Sequence, residues 1–183
     1  MLRFLTVGAI GLAAFLQSPY RLLALDDPNG RMTLGQALAP FGPTIRFATT
    51  EAGHLAYWSG AETVDLWGLN TPAFARAPAN GAFLARENFD LIILPIFQHA
   101  DCAVIRERHK ALFAAGPDDR IGTRNWRALS ASLQSGIDPT RYRLHRIAFT
   151  AKAPPFLAFV NTSSPQKTDI EAALKASGAR ACS

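Results

Sequence analysis

The sequence predicts a mixed α/β domain in which helices cover a sheet that begins parallel and finishes as an antiparallel hairpin, behind an N-terminal transmembrane or signal-anchor helix. Three observations carry this. "LIILP" (91–95) is a short unbroken apolar run, the mark of a strand buried on both faces. "YRLHRIAFT" (142–150) and "PFLAFVNT" (155–162) are β-rich runs joined by "AKAPP", which is hairpin spacing with an irregular turn. "FLTVGAIGLAAFL" (4–16) is uncharged and almost wholly apolar.

That apolar run continues into "QSPYRLLAL" (17–25). A spanning helix needs about twenty apolar residues, and a signal-peptide core needs fewer. No small-x-small cleavage site follows, and Pro19 stands where processing is expected, so residues 1–25 read as an uncleaved anchor with Arg21 snorkelling. Another option is the last helix of a longer membrane protein. Arg3 and Arg21 pull the charge rule in opposite directions. The turn signal "DDPNG" (26–30) opens the folded domain, residues 26–183.

Within that domain Thr33 can cap a helix over "LGQALAPF", which Pro40 and Gly42 end. "TIRFATT" (44–50) alternates and is β-branched, the first strand; "TVDLWGL" (63–69) is the second. Asn70 or Thr71 can cap a helix that starts at Pro72, and "GAFLAREN" (81–88) continues helical character. Residues 100–115 place Val104, Ile105, Leu112 and Ala115 on one helical face. In the first hairpin strand the alternation slips near His145, which predicts a bulge. "TDIEAALKASG" (168–178) is a final helix with Gly178 as its stop.

At 183 residues, 49% hydrophobic and 18% charged, the chain can bury a core without disulfides or metals. The net charge of +5 is spread over "RERHK" (106–110), "RYRLHR" (141–146) and scattered arginines. Nucleic-acid binders gather such charge on one face among aromatics, so a solvated surface is the better reading and no nucleic-acid partner is expected. Weak attraction to anionic lipid headgroups fits equally. Cys102 and Cys182 have no metal or redox spacing; they read as two unpaired thiols, or as a pair in an oxidising compartment.

No G-x-G-x-x-G or P-loop follows a strand, so no nucleotide cofactor is expected. "YWSGAE" lacks the glycine two residues before Ser59 that a hydrolase elbow needs. His99, Asp101 and Cys102 in "QHADC" are metal-capable, but a helix N-terminus explains them without a further ligand cluster, and no metal is expected.

The richest stretch is "FATTEAGHLAYWSGAETVDLWGLNTPAFAR" (47–76). Glu51 directly follows the first strand and Asp65 lies in the second, at strand ends where ligands collect in α/β sheets. With His54 they are the candidates for acid–base work: paired carboxylates at a strand end could act as general acid and base, or could grip sugar hydroxyls. The structural alternative has Asp65 bonding backbone amides, Gly53 and Gly60 supplying turns, and Tyr57 and Trp58 packing.

Glu51-Ala52-Gly53, Tyr57-Trp58-Ser59-Gly60, Asp65 with Gly68-Leu69-Asn70, and Asp90 before Leu91 form a pattern over residues 33–97. It resembles the C-terminal extracytoplasmic domain of bacterial GT-C-type polytopic membrane glycosyltransferases, the arabinosyl- and mannosyltransferase-like enzymes that use polyprenyl-phosphate sugars. The resemblance implies a soluble domain facing the periplasm or exterior of the cytoplasmic membrane, hung from a transmembrane helix. Its partners would be the membrane, a lipid-linked sugar or cell-envelope glycan, and a membrane glycosyltransferase subunit. In such enzymes the catalytic carboxylate lies between early membrane helices that this chain lacks. The expected role is therefore to support or position an acceptor, as a fragment or an accessory module, with no catalytic residue of its own; Glu51, His54, Tyr57, Trp58, Asp65 and Asn70 would line the candidate surface, aromatic faces against sugar C–H groups and carboxylates on hydroxyls. A ligand-free structural domain of a membrane complex is one alternative. A small glycan-acting hydrolase with Glu51 and Asp65 as an acid pair is another.

Overall fold

The computed structural model describes residues 30–51, 53–76, 79–95, 102–103, 124–147 and 156–182. The predicted anchor, residues 1–25, lies outside them, as does the helix predicted over 100–115 except at Cys102 and Ala103, which are helical. Among the described residues no helix is long and apolar enough to cross a membrane.

The elements are α1 (Arg31–Leu38), β1 (Arg46–Thr49), α2 (His54–Ser59), β2 (Glu62–Asp65), α3 (Gly81–Arg86), β3 (Leu91–Pro95), α4 (Arg124–Gly136), β4 (Tyr142–Ile147), β5 (Phe156–Asn161), α5 (Lys167–Ala176) and β6 (Ala179–Ala181). Short 3-10 turns cover Ala39–Thr44, Pro72–Phe74 and Pro139–Arg141. One sheet runs in the order β2-β1-β3-β5-β4-β6. β1 is parallel to β2 and to β3, whereas β3–β5, β5–β4 and β4–β6 are antiparallel. The predicted change from parallel to antiparallel is therefore present.

Alternation along the central strands builds two cores. Ala48, Ile92, Leu94, Leu157 and Phe159 face α3 and α4, meeting Leu84, Leu129 and Leu133. Phe47, Leu91, Ile93, Ala158 and Val160 face the other way, against Leu34 and Leu38 of α1, Leu55 of α2, and Ile170 and Leu174 of α5. Leu91 through Leu94 are buried, as a continuous apolar run requires. Each such side chain contributes about 1.5–3 kcal/mol by leaving water.

Several predicted elements need correction. α1 starts at Arg31 after Gly30, and no side chain caps it, so Thr33 is not its cap. The chain then tightens into 3-10 geometry, with Pro40 in its first turn, and passes α2 so closely that a Cβ on Gly42 would collide with the Ser59 carbonyl. The helix predicted from Pro72 is a single 3-10 turn, and α3 restarts separately, with Asn80 Oδ1 accepting from Phe83 N at 2.8 Å. The bulge near His145 is absent: pairing runs unbroken from Tyr142↔Asn161 to Ile147↔Phe156. The apparent slip is a buried histidine facing α5, so a polar residue occupies a core position. α2, α4 and β6 go beyond the elements that the sequence predicts. Cys102 and Cys182 are joined in a disulfide, tying the segment between β3 and α4 to the tail after β6.

Candidate functional site

Residues at the carboxyl ends of β1 and β2 hold most of the predicted site. Thr49 Oγ1 accepts from Glu51 N at 2.9 Å, which turns the chain sharply out of β1. Glu51 is half-buried and its carboxylate meets Arg31, the first residue of α1. This is a charge contact, since Arg31 Nε is buried without an aligned hydrogen-bond acceptor among the described residues. The same guanidinium lies 5.6 Å from the centroid of the Phe156 ring.

Asp65 is fully buried. Its Oδ1 accepts from Trp67 N and its Oδ2 from Asn70 N, both at 2.9 Å, while the Asp65 amide donates to Thr71 Oγ1 at 2.9 Å. Gly68, at φ 83°, completes the loop by donating its amide to the Asp65 carbonyl. Asp65 thus serves as the internal anchor of the loop that follows β2. Asn70 is exposed and contributes its backbone amide to that anchor.

Tyr57 and Trp58 sit on α2, between Gly53 and Gly60. α2 packs tightly on α1: a Cβ on Gly35 would lie 2.7 Å from that of Trp58. Trp58 is 38% exposed and Tyr57 78% exposed. The rings meet edge-to-face, with centroids 5.2 Å apart. His54, at the start of α2, is exposed. Glu51 and the α2 residues therefore share one unit, whereas Asp65 turns inward beneath its own loop. Arg31 and Thr50 carry no signal in the sequence, because a lone arginine opening a helix and a threonine ending a strand belong to no motif.

Asp90 lies at the opposite, amino end of the parallel strands. Its Oδ2 accepts from Arg46 N at 2.8 Å and its Oδ1 from Ser164 Oγ at 2.6 Å, stitching β1 to the loop before α5. Asn161 adds to the same knot by donating to Asn88 Oδ1 at 3.1 Å and to the Phe89 carbonyl at 3.0 Å.

A second polar group lies between β4 and α5. His145 Nε2 is 3.6 Å from Glu171 Oε1, Arg143 Nη1 3.4 Å from that oxygen, and Lys167 Nζ 4.0 Å from Oε2. Burial pushes the His145 imidazole below its ordinary value; Glu171 opposes this, and Arg143 and Lys167 reinforce it. The folded chain therefore holds His145 neutral while the unfolded chain takes up a proton as pH falls through about 6.5. The stability contribution is full above that pH and declines as pH drops toward the lower folded value. Melting curves between about pH 8 and 5 should show this decline, and His145→Gln should flatten it. Equal slopes for the two proteins would refute the assignment.

No group of three metal-capable side chains lies together among the described residues. Of the "QHADC" trio, His99 and Asp101 lie outside them and the Cys102 sulfur is taken by the disulfide.

Residues 20–152 match the family described as a Domain of unknown function (DUF8728), and the chain belongs to that family. The matched span includes α1 through β4, and with them Arg31, Glu51, α2 and the Asp65 loop. No curated protein and no solved structure matches the chain significantly.

Proposed function

We propose that this is an extracytoplasmic domain, held at the cytoplasmic membrane by its apolar N-terminal segment, that supports or positions a cell-envelope glycan or lipid-linked sugar as an accessory to a membrane glycosyltransferase. The observation that carries the reading is the Tyr57–Trp58 pair, two adjacent aromatic rings presented to solvent on a short helix. Exposed aromatics stack on sugar C–H faces, and large ones rarely remain exposed without a partner to meet. The Cys102–Cys182 disulfide supports the location, because such bonds persist in oxidising compartments. The resemblance over residues 33–97 supports the link to glycosyl transfer. On this reading Tyr57 and Trp58 are the contact residues, with Glu51 and His54 beside them at the start of the same unit. Asp65 and Asn70 shape the adjoining loop.

The test is a tryptophan-fluorescence titration of the full chain in detergent with cell-envelope polysaccharide fragments. Tyr57→Ala should weaken binding about tenfold, near 1.4 kcal/mol, and shift stability by no more than about 0.5 kcal/mol because the ring is exposed. Unchanged binding in the variant would remove the aromatic pair from the contact.

A ligand-free structural domain is the second reading. It is favoured by Asp65, whose carboxylate is wholly engaged by backbone amides, and by the pairing of Glu51 with Arg31. It predicts no saturable response to any fragment. The same two observations count against an acid pair formed by Glu51 and Asp65.

A further inference from the structure

The strand order creates a branching point beside Glu51. β1 lies between β2 and β3, parallel to both. From β1 the chain moves outward to β2 through α2, on the face of the sheet where Leu55 is buried. It then crosses back past β1 to β3 through α3, on the opposite face where Leu84 is buried. β3 itself leads on to α4, whose Leu129 and Leu133 are buried on that same opposite face, so the adjacent strands β1 and β3 send their connections to opposite faces of the sheet. In open α/β sheets the crevice outside the carboxyl ends of two such strands is where ligands enter.

Arg31 bridges that point. Its guanidinium touches Glu51, just beyond β1, and overlies Phe156, the register partner of Pro95 at the end of β3. Between Thr49 and Glu51 lies Thr50, only 6% exposed, with a hydroxyl that is buried and has no hydrogen-bond partner among the described residues. Arg31 Nε beside it is equally closed to solvent, but it already faces the Glu51 carboxylate. A buried hydroxyl without a partner is rare and costly, and at a strand end it calls for a group that supplies oxygen.

We propose that Arg31, Thr50 and Glu51 form a subsite for the vicinal hydroxyls of a neutral sugar unit, an assignment that rests on the glycan reading above. The charge balance selects the ligand class. Glu51 cancels the charge of Arg31 and would repel a phosphate or carboxylate, whereas a diol offers acceptor oxygens to Arg31 and Thr50 and a hydroxyl hydrogen to Glu51. Tyr57 and Trp58 would hold neighbouring units of the same chain, since Arg31 and Gly35, against which Trp58 packs, are one turn apart on α1.

The experiment follows the Thr50 and Glu51 amides by NMR in the full chain in detergent micelles, titrated with methyl α-mannoside or inorganic phosphate. The glycoside should give a saturable response in the millimolar range expected of a single-sugar contact. Thr50→Val, which removes the orphan hydroxyl but keeps the shape, should weaken that response about tenfold without lowering the melting temperature. Tyr57→Ala should leave it intact. A response to phosphate and not to the glycoside overturns the ligand class. No response to either, or a Thr50→Val protein that binds as wild type, overturns the subsite. If polysaccharide binding persists while this response is absent, only the subsite fails; loss of both removes the glycan reading as well.

Discussion

Replacing Cys102 and Cys182 together by serine is expected to lower the unfolding free energy by about 4 kcal/mol and the melting temperature by about 10 °C. The bridge joins residues 80 apart in sequence, so it removes a large share of the unfolded chain's freedom while the native ends already lie close, with Cα atoms 5.1 Å apart. What it secures is specific. Cys182 is buried in the core beneath α4, and its amide donates to the Leu144 carbonyl at 3.0 Å, directly after the three residues of β6. So short an edge strand has little pairing of its own, and the tail should come free first when the bond is cut. The measurement is thermal or urea unfolding of the wild-type chain with and without reductant, alongside the double variant. Reduction with no shift in midpoint, or two titratable thiols in the native unreduced chain, would overturn the prediction.

Gly68→Ala is expected to cost about 3 kcal/mol or more. Two costs coincide at this position. Its backbone sits at φ 83°, where an L side chain is strained, and a Cβ there would collide with the backbone of Phe74, which cannot swing aside as a side chain could. The loop would have to open, pulling the Trp67 and Asn70 amides from the buried Asp65 carboxylate. Gly53→Ala is the matched control: Gly53 has negative φ and nothing within 4 Å of the place a methyl would take, so the exchange should be neutral or slightly stabilising. Equal melting temperatures for Gly68→Ala and Gly53→Ala would show that the loop is not held in this way.

These two sites illustrate how far the residues can be read in one dimension. Asp65 can be read as an anchor for backbone amides because that cue is local, but the strand predicted over 63–69 runs past Gly68, whereas β2 ends at Asp65 and the turn starts there. That Cys102 and Cys182 do pair is not visible, since spacing says nothing about whether two distant thiols lie within bridging distance. α2 is hidden for a different reason. It is six residues of mixed aromatic and polar character between two glycines, too short to establish a helical period, and it is held in place by α1 closing over Gly35. The candidate site divides along the same line. Glu51, His54, Tyr57 and Trp58 can be named from their position after a strand, but Arg31, on a helix that begins twenty residues earlier than Glu51, joins them only through folding.

His145 shows the limit from the other side. Read along the strand it breaks the alternation and points to a bulge; in three dimensions it occupies a regular inward position facing Glu171. By itself, then, the sequence determined the α/β class, the buried central strand, and the parallel beginning and antiparallel end of the sheet. Hydrophobic period and turn residues act within a few positions and mark these strands and the connections between them, a helical crossover or a hairpin. The tertiary structure alone decided the strand order, the disulfide, the turning of Asp65 into its own loop and the meeting of Arg31 with Glu51 at the branch point. Each of those brings together groups remote in the chain or fixes a side chain's direction, and both are set by which surfaces the two cores must bury.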